Sequence, residues 1–131
     1  MLDPSIAPAL HHLLSDWSEV LVAVLFGSQA RGTATERSDI DLAVLAPGLD
    51  LLALSAALSR ALRREVDCIS LEDPPIPLQE ELIARGLIVH EAEPGAGALW
   101  RSRTLASLET DRPWFQRMRD SWLRRVAERG L

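Results

Sequence analysis

Residues 27–42 read Gly27-Ser28-Gln29-Ala30-Arg31-Gly32-Thr33-Ala34-Thr35-Glu36-Arg37-Ser38-Asp39-Ile40-Asp41-Leu42, a small, polar, turn-rich segment between two apolar runs, Val20 to Phe26 and Ile40 to Leu45. The first run is too short and too β-branched for a helix and reads as a buried strand that Gly27 ends. A glycine at that point lets a ligand approach the backbone, because no Cβ stands in the way. Ser28 brings a hydroxyl and an amide to the start of a short helix, an arrangement suited to phosphate oxygens. Arg31, one turn later, offers a planar cation that pairs with such oxygens. Read alone, the Gly-Ser pair is equally well a plain strand-to-helix turn.

Asp39 and Asp41 say more. Side chains two apart on a strand share a face, so both carboxylates project together while Ile40, Leu42 and Val44 point into the core. Hard oxygen donors of this kind suit Mg²⁺, which takes one or two carboxylates together with substrate phosphates. The bland alternative is a pair of exposed strand-end acids. Asp67 supplies a third group: in Val66-Asp67-Cys68-Ile69 the valine and cysteine share one face and the aspartate takes the other. If that strand lies beside Ile40–Leu45, three carboxylates converge. The chain has no lysine to neutralise them, which points to a divalent metal, with a solvent-facing edge acid as the alternative for Asp67.

Working outward, Asp3-Pro4 can open a helix over residues 4–18 as N-cap and first helical residue, with Ile6, Leu10, Leu13, Leu14 and Trp17 at helical spacing. Leu49 to Arg64 reads as a helix striped by Leu51, Leu54, Leu58 and Leu62 and closed by Arg60, Arg63 and Arg64. Val66 to Leu71 is a third strand, followed by a proline elbow (Asp73-Pro74-Pro75-Ile76-Pro77), a short helix Leu78 to Arg85 stopped by Gly86, and a fourth strand Leu87 to His90. Glu93 to Gly97 reads as a hinge, and Ala98 to Leu108 and Pro113 to Arg129 as two further helices. Strands alternating with helices indicate an α/β layer fold, divided into a core at 1–94 and a C-terminal helical appendage at 95–131 of the same domain.

The 131 residues, 47% hydrophobic and 25% charged, suit one globular domain rather than a disordered or fibrous chain. The longest apolar run, Val20 to Phe26, is far short of the ~20 residues a membrane helix needs, and the N-terminus shows no signal-peptide pattern. A single cysteine, Cys68, makes no internal disulfide, so a cytoplasmic setting is expected. The net charge of −5 is uneven: residues 1–94 carry six arginines against fifteen acids, residues 95–131 eight against four. An acidic body argues against nucleic-acid binding. Trp100, Trp114 and Trp122, with Phe115 and Met118, concentrate aromatic area on the terminal helices, either packed on the sheet or presented to a partner with arginines at the rim. His11 and His12, adjacent on a helix, read as surface residues, His90 stands at a strand end without a nearby ligand pair, and Cys68 reads as an inert core residue.

Gly27-Ser28, ten residues, then Asp39-x-Asp41 resembles the signature of the DNA polymerase β-type nucleotidyltransferase superfamily. The fuller string Gly-Ser-x-Ala-Arg-Gly…Ser-Asp-Ile-Asp-Leu resembles its small prokaryotic branch, the minimal nucleotidyltransferases. Val66 to Leu71, the proline elbow and Gly86-Leu87-Ile88-Val89-His90 resemble the MntA-like antitoxins of HEPN–MNT pairs, so that the likeness spans about residues 18–92. It implies an α/β (α+β) polymerase β-like palm, with a mixed, mostly four-stranded sheet and two C-terminal helices. It further implies that Asp39, Asp41 and Asp67 are catalytic and hold two Mg²⁺ ions, and that Gly27 and Ser28, helped by Arg31, bind the phosphates of ATP. A hydroxyl would attack the α-phosphorus with pyrophosphate leaving. Relatives of this kind adenylylate a tyrosine of a HEPN ribonuclease toxin, and a chain without tyrosine fits an acceptor on a partner. Two other readings are a small-molecule nucleotidyltransferase of the aminoglycoside type and a non-catalytic antitoxin that acts by binding.

Overall fold

The computed structural model describes residues 5–35 and 38–129. Along the chain the elements are α1 (Ile6–Leu14), β1 (Val22–Phe26), α2 (Ser28–Arg31), β2 (Ile40–Leu45), α3 (Leu51–Leu62), β3 (Val66–Ser70), α4 (Ile76–Arg85), β4 (Leu87–Glu91) and α5 (Ala96–Glu128). The four strands form one mixed sheet in the order β3-β2-β1-β4. β1 runs antiparallel to both β2 and β4, and β2 runs parallel to β3, since α3 carries the chain back across the sheet between them.

The two-residue periodicity of the strands divides the core between the two faces. Ala23 and Leu25 of β1 and Ile40, Leu42 and Val44 of β2 meet Ile6, Leu10 and Leu14 of α1 and Leu54 and Leu58 of α3. On the other face Val22, Val24 and Ala43 meet Leu71, Leu82 of α4 and Trp100 of α5. α3 starts where Asp50 caps it, its carboxylate accepting from the Leu52 and Ala53 amides at 3.0 and 3.3 Å. The expected N-cap of α1 falls on Asp3 and Pro4, outside the described residues. Ser5 stands ahead of the helix, which stops at Leu14, short of the expected residue 18.

Two helices differ from the sequence reading. α4 begins at Ile76, two residues early, because Pro77 occupies the first turn, where its missing N–H has no intrahelical acceptor to lose. The two expected C-terminal helices are a single one of 33 residues with Pro113 inside it. The proline forfeits one backbone bond, but no glycine lies between Ala98 and Glu128 to reinforce the break. Burial splits this helix. Gly97, Trp100 and Leu108 are buried, and no described residue beyond Leu108 is. Trp100, offered by the sequence as a docking residue, is thus a core residue at 9% exposure, whereas Trp114 and Trp122 are each 57% exposed. Among the described residues no helix is long and apolar enough to cross a membrane.

Candidate active site

The site is assembled by strand register. Asp41 pairs with Phe26 on the antiparallel side and with Asp67 on the parallel side, so the carboxylates of β2 and β3 stand abreast at the strand end that Gly27 follows. Gly27 has φ 71° and ψ −147°, a region closed to residues with a Cβ. A Cβ there would also lie 2.5 Å from Asp41 Oδ2. The glycine therefore admits the Asp41 carboxylate itself to the turn, a more specific role than the general ligand access expected of it. The turn closes through Arg31 N donating to Gly27 O at 3.0 Å and Thr33 N to Ser28 O at 3.1 Å.

Asp39 precedes β2, and its loop is fixed from β3's side. Arg64 Nη2 donates to Ser38 O at 2.8 Å and to Thr35 O at 3.2 Å. Arg64 is therefore a clamp on the approach to Asp39. Sequence reasoning saw it only as a basic residue closing a helix, because its acceptors are backbone carbonyls 26 and 29 residues away.

The structure adds a fourth acid. Carboxylate oxygens of Asp39, Glu65 and Asp67 all lie within 4.8 Å of one another. Ile40 pairs with Val66, which sets Glu65 beside Asp39 as Asp67 stands beside Asp41. The signal lay in the sequence: Glu65-x-Asp67 repeats the spacing of Asp39-x-Asp41 on the neighbouring strand. The crowding has an electrostatic cost. Burial raises the Asp41 pKa above its ordinary 3.8, and Asp67, Asp39 and Glu81 raise it further, while Arg31 opposes them. Glu65 is raised above 4.5 by Asp39 and then Asp67, and a hydrogen bond with the Asp39 carboxyl also favours its protonated form.

Asp39, Glu65 and Asp67 form a hard-oxygen donor set on a chain without lysine, while Asp41, beside Asp67 in register, lies outside that group and next to the Gly27 turn. That chemistry fits Mg²⁺. Of the other residues singled out by sequence, Ser28 follows Gly27 at the start of α2, and Arg31 extends to α4, its Nη1 3.1 Å from Glu81 Oε1. Cys68 is half-buried behind Asp67 in the first core, where burial raises its thiol pKa. His90 is not isolated: its Nδ1 lies 3.1 Å from Nδ1 of His11 on α1. A larger cavity of about 770 Å³, lined by Leu45, Leu71, Trp100 and Arg103 among others, opens at the opposite strand ends and is not where the acids gather.

A glycine turn at one strand end, alternating aspartates on the antiparallel neighbour and an acid on the parallel strand beyond define a nucleotidyltransferase fold. Residues 9–94 match the family described as polymerase beta, nucleotidyltransferase, and the chain belongs to that family. Among solved structures it is similar to a chain of a toxin–antitoxin complex crystallised with AMP-PNP, at 26% identity and a TM-score of 0.75, over 89% of this chain and 98% of that one. A mutant MntA–HpeT toxin–antitoxin complex gives 26% identity and a TM-score of 0.71 over 94% and 99%. The complex of a tri-AMPylated Shewanella oneidensis HEPN toxin with its MNT antitoxin shares the fold, at 24% identity and a TM-score of 0.69 over 89% and 95%. No curated protein sequence matches the chain significantly.

Proposed function

We propose that this protein is a Mg²⁺-dependent adenylyltransferase that moves AMP from ATP to a hydroxyl, a tyrosine, of a cognate HEPN ribonuclease toxin and so acts as its antitoxin in the cytoplasm. The observation that carries this is the register pairing of Asp41 with Asp67 beside Gly27, with Asp39 within carboxylate reach of Asp67. The likeness to toxin–antitoxin chains, one solved with AMP-PNP, supports the choice of nucleotide and partner.

In this reading Asp39, Asp41 and Asp67 hold two Mg²⁺ ions, which when bound neutralise the triphosphate and polarise the acceptor hydroxyl. Gly27 and Ser28 bind the triphosphate, with Arg31 assisting. The acceptor oxygen bonds to the α-phosphorus as the α–β bridging bond breaks and pyrophosphate leaves, and Asp67 helps to activate the hydroxyl by accepting its proton. Most of the acceleration comes from positioning and charge complementarity.

The partner docks on the outer half of α5. Trp114, Met118 and Trp122 recur every four residues and are 57%, 48% and 57% exposed, flanked by Arg117 and Arg124. Aromatic anchors with an arginine rim are the composition of an interface centre. The 95–131 appendage to the 1–94 core thereby docks the partner through its outer half, while its inner half packs on the core through Gly97, Trp100 and Leu108.

The test is intact-mass analysis of the toxin encoded beside this protein after incubation with protein, ATP and Mg²⁺. One or more added AMP units with the native protein, and none with Asp39→Ala/Asp41→Ala, is the expected result. Neutralisation of the toxin by that double variant, without any mass change, would favour action by binding alone.

A further inference from the structure

Arg31 is the cation that the sequence offers to the phosphates, yet in the folded chain its guanidinium already has a carboxylate partner in Glu81 at 3.1 Å. A second guanidinium stands close by. Arg85 follows Glu81 by four residues on α4 and so occupies the same helix face one turn on. It is exposed and makes no ion pair or hydrogen bond with another described residue. Ala30, Arg31, Thr33 and Arg85 together line a cavity of about 420 Å³, whose Ala30–Arg31 wall belongs to the short helix that Gly27 and Ser28 open. None of the four lining residues is acidic, although residues 1–94 hold fifteen acids and only six arginines. Two of those six therefore line one cavity along the short helix that follows the glycine turn, one paired with a carboxylate and the other paired with no described residue.

We propose that Arg85 is a phosphate-binding residue of this site: it takes the terminal phosphates of a nucleoside triphosphate and sets the preference for triphosphate over monophosphate. The proposal rests on the nucleotidyltransferase reading above and adds a residue that its motif does not contain. The reason is electrostatic. An incoming polyanion must share Arg31 with Glu81, to which it is already paired at 3.1 Å, whereas the Arg85 side chain is paired with no described residue and offers a planar fork that matches phosphate oxygens. The α-phosphate remains with the carboxylate cluster, so the loss of Arg85 is felt by ligands that extend beyond it.

Titration of the full-length protein with AMP-PNP and with AMP, in Mg²⁺, separates the possibilities. Arg85→Ala is expected to weaken AMP-PNP binding at least tenfold and AMP binding less than twofold. Arg85→Lys should recover part of the loss, as a point charge without the fork. In the transfer assay the KM for ATP should rise by a similar factor with kcat nearly unchanged. Because Arg85 is exposed, the melting temperature should not move. AMP-PNP affinity equal to the native protein's would overturn the proposal. So would equal losses for AMP and AMP-PNP, or unchanged nucleotide affinity with a raised KM for the acceptor protein, which would place Arg85 at the partner interface. Native protein that binds no AMP-PNP would instead overturn the nucleotidyltransferase reading, and this proposal with it.

Discussion

Gly27 and Gly32 bracket the same four-residue helix and should respond differently to one methyl group. Gly27 lies in a glycine-only region with Asp41 Oδ2 in the way of a Cβ, whereas Gly32, at φ 74° and ψ 16°, has nothing within 4 Å. Gly27→Ala is expected to cost roughly 1–3 kcal/mol and to abolish transfer by displacing the Asp41 carboxylate. Gly32→Ala should cost about 1–2 kcal/mol and leave substantial activity. Urea denaturation beside an activity assay distinguishes them. The acids carry a second expectation. Their folded pKa values lie above the ordinary 3.8 of Asp41 and 4.5 of Glu65, so the native state binds protons more readily than the unfolded chain does. Without divalent cation, stability should therefore fall as pH rises through that range and level off above it. Asp41→Asn should raise the melting temperature in EDTA at pH 7, and Mg²⁺ should stabilise the native protein more than this variant.

At the scale of elements, α1 is joined to edge strand β4 through the His11–His90 pair. With the two Nδ1 atoms 3.1 Å apart, one nitrogen must donate and the other accept, an arrangement lost when both rings are protonated. Burial lowers the His90 pKa below 6.5, with His11 as the next cause, while Glu91 and the Val20 backbone oppose the shift. The unfolded chain thus takes up a proton that the folded state resists. The contribution of His90 is complete above pH 6.5 and is expected to decline as pH falls through 6.5 towards the lowered folded value. His90→Gln should flatten that decline in urea midpoints measured from pH 7.5 to 5.5. Elements were also where the sequence was least legible. Apolar runs, alternation and helical spacing placed all four strands and α1, α3 and α4 within a few residues, because each buries an apolar face. α5 carried no such face beyond Leu108, so its continuity through Pro113 depended on an aggregate of weak propensities that no single residue advertised.

Across the whole molecule, the candidate site was legible where its parts were close in sequence and obscure where they were brought together by packing. Gly27, Asp39 and Asp41 form one spaced string, and Asp67 follows from strand alternation. Glu65 required the β2–β3 register, and the Arg31–Glu81 and Arg64–Ser38 contacts join residues 50 and 26 positions apart. The charge division has a consequence at the same scale. The acidic core and the basic, tryptophan-bearing half of α5 give the molecule two ends of opposite sign, so partner capture should weaken with salt while its apolar centre persists. Trp114→Ser combined with Trp122→Ser removes exposed groups only. The pair is expected to shift the melting temperature little and to weaken toxin binding at least tenfold in a direct titration.

The central claim is that the clustered carboxylates direct a nucleophile to the α-phosphorus of ATP. Incubating the protein and the proposed toxin partner with Mg²⁺ and ATP labelled at either the α- or the γ-phosphate tests this directly. Label should appear on the toxin from the α position only, and should disappear with Asp67→Asn. Transfer of the γ label, or undiminished labelling by the Asp67 variant, would contradict it.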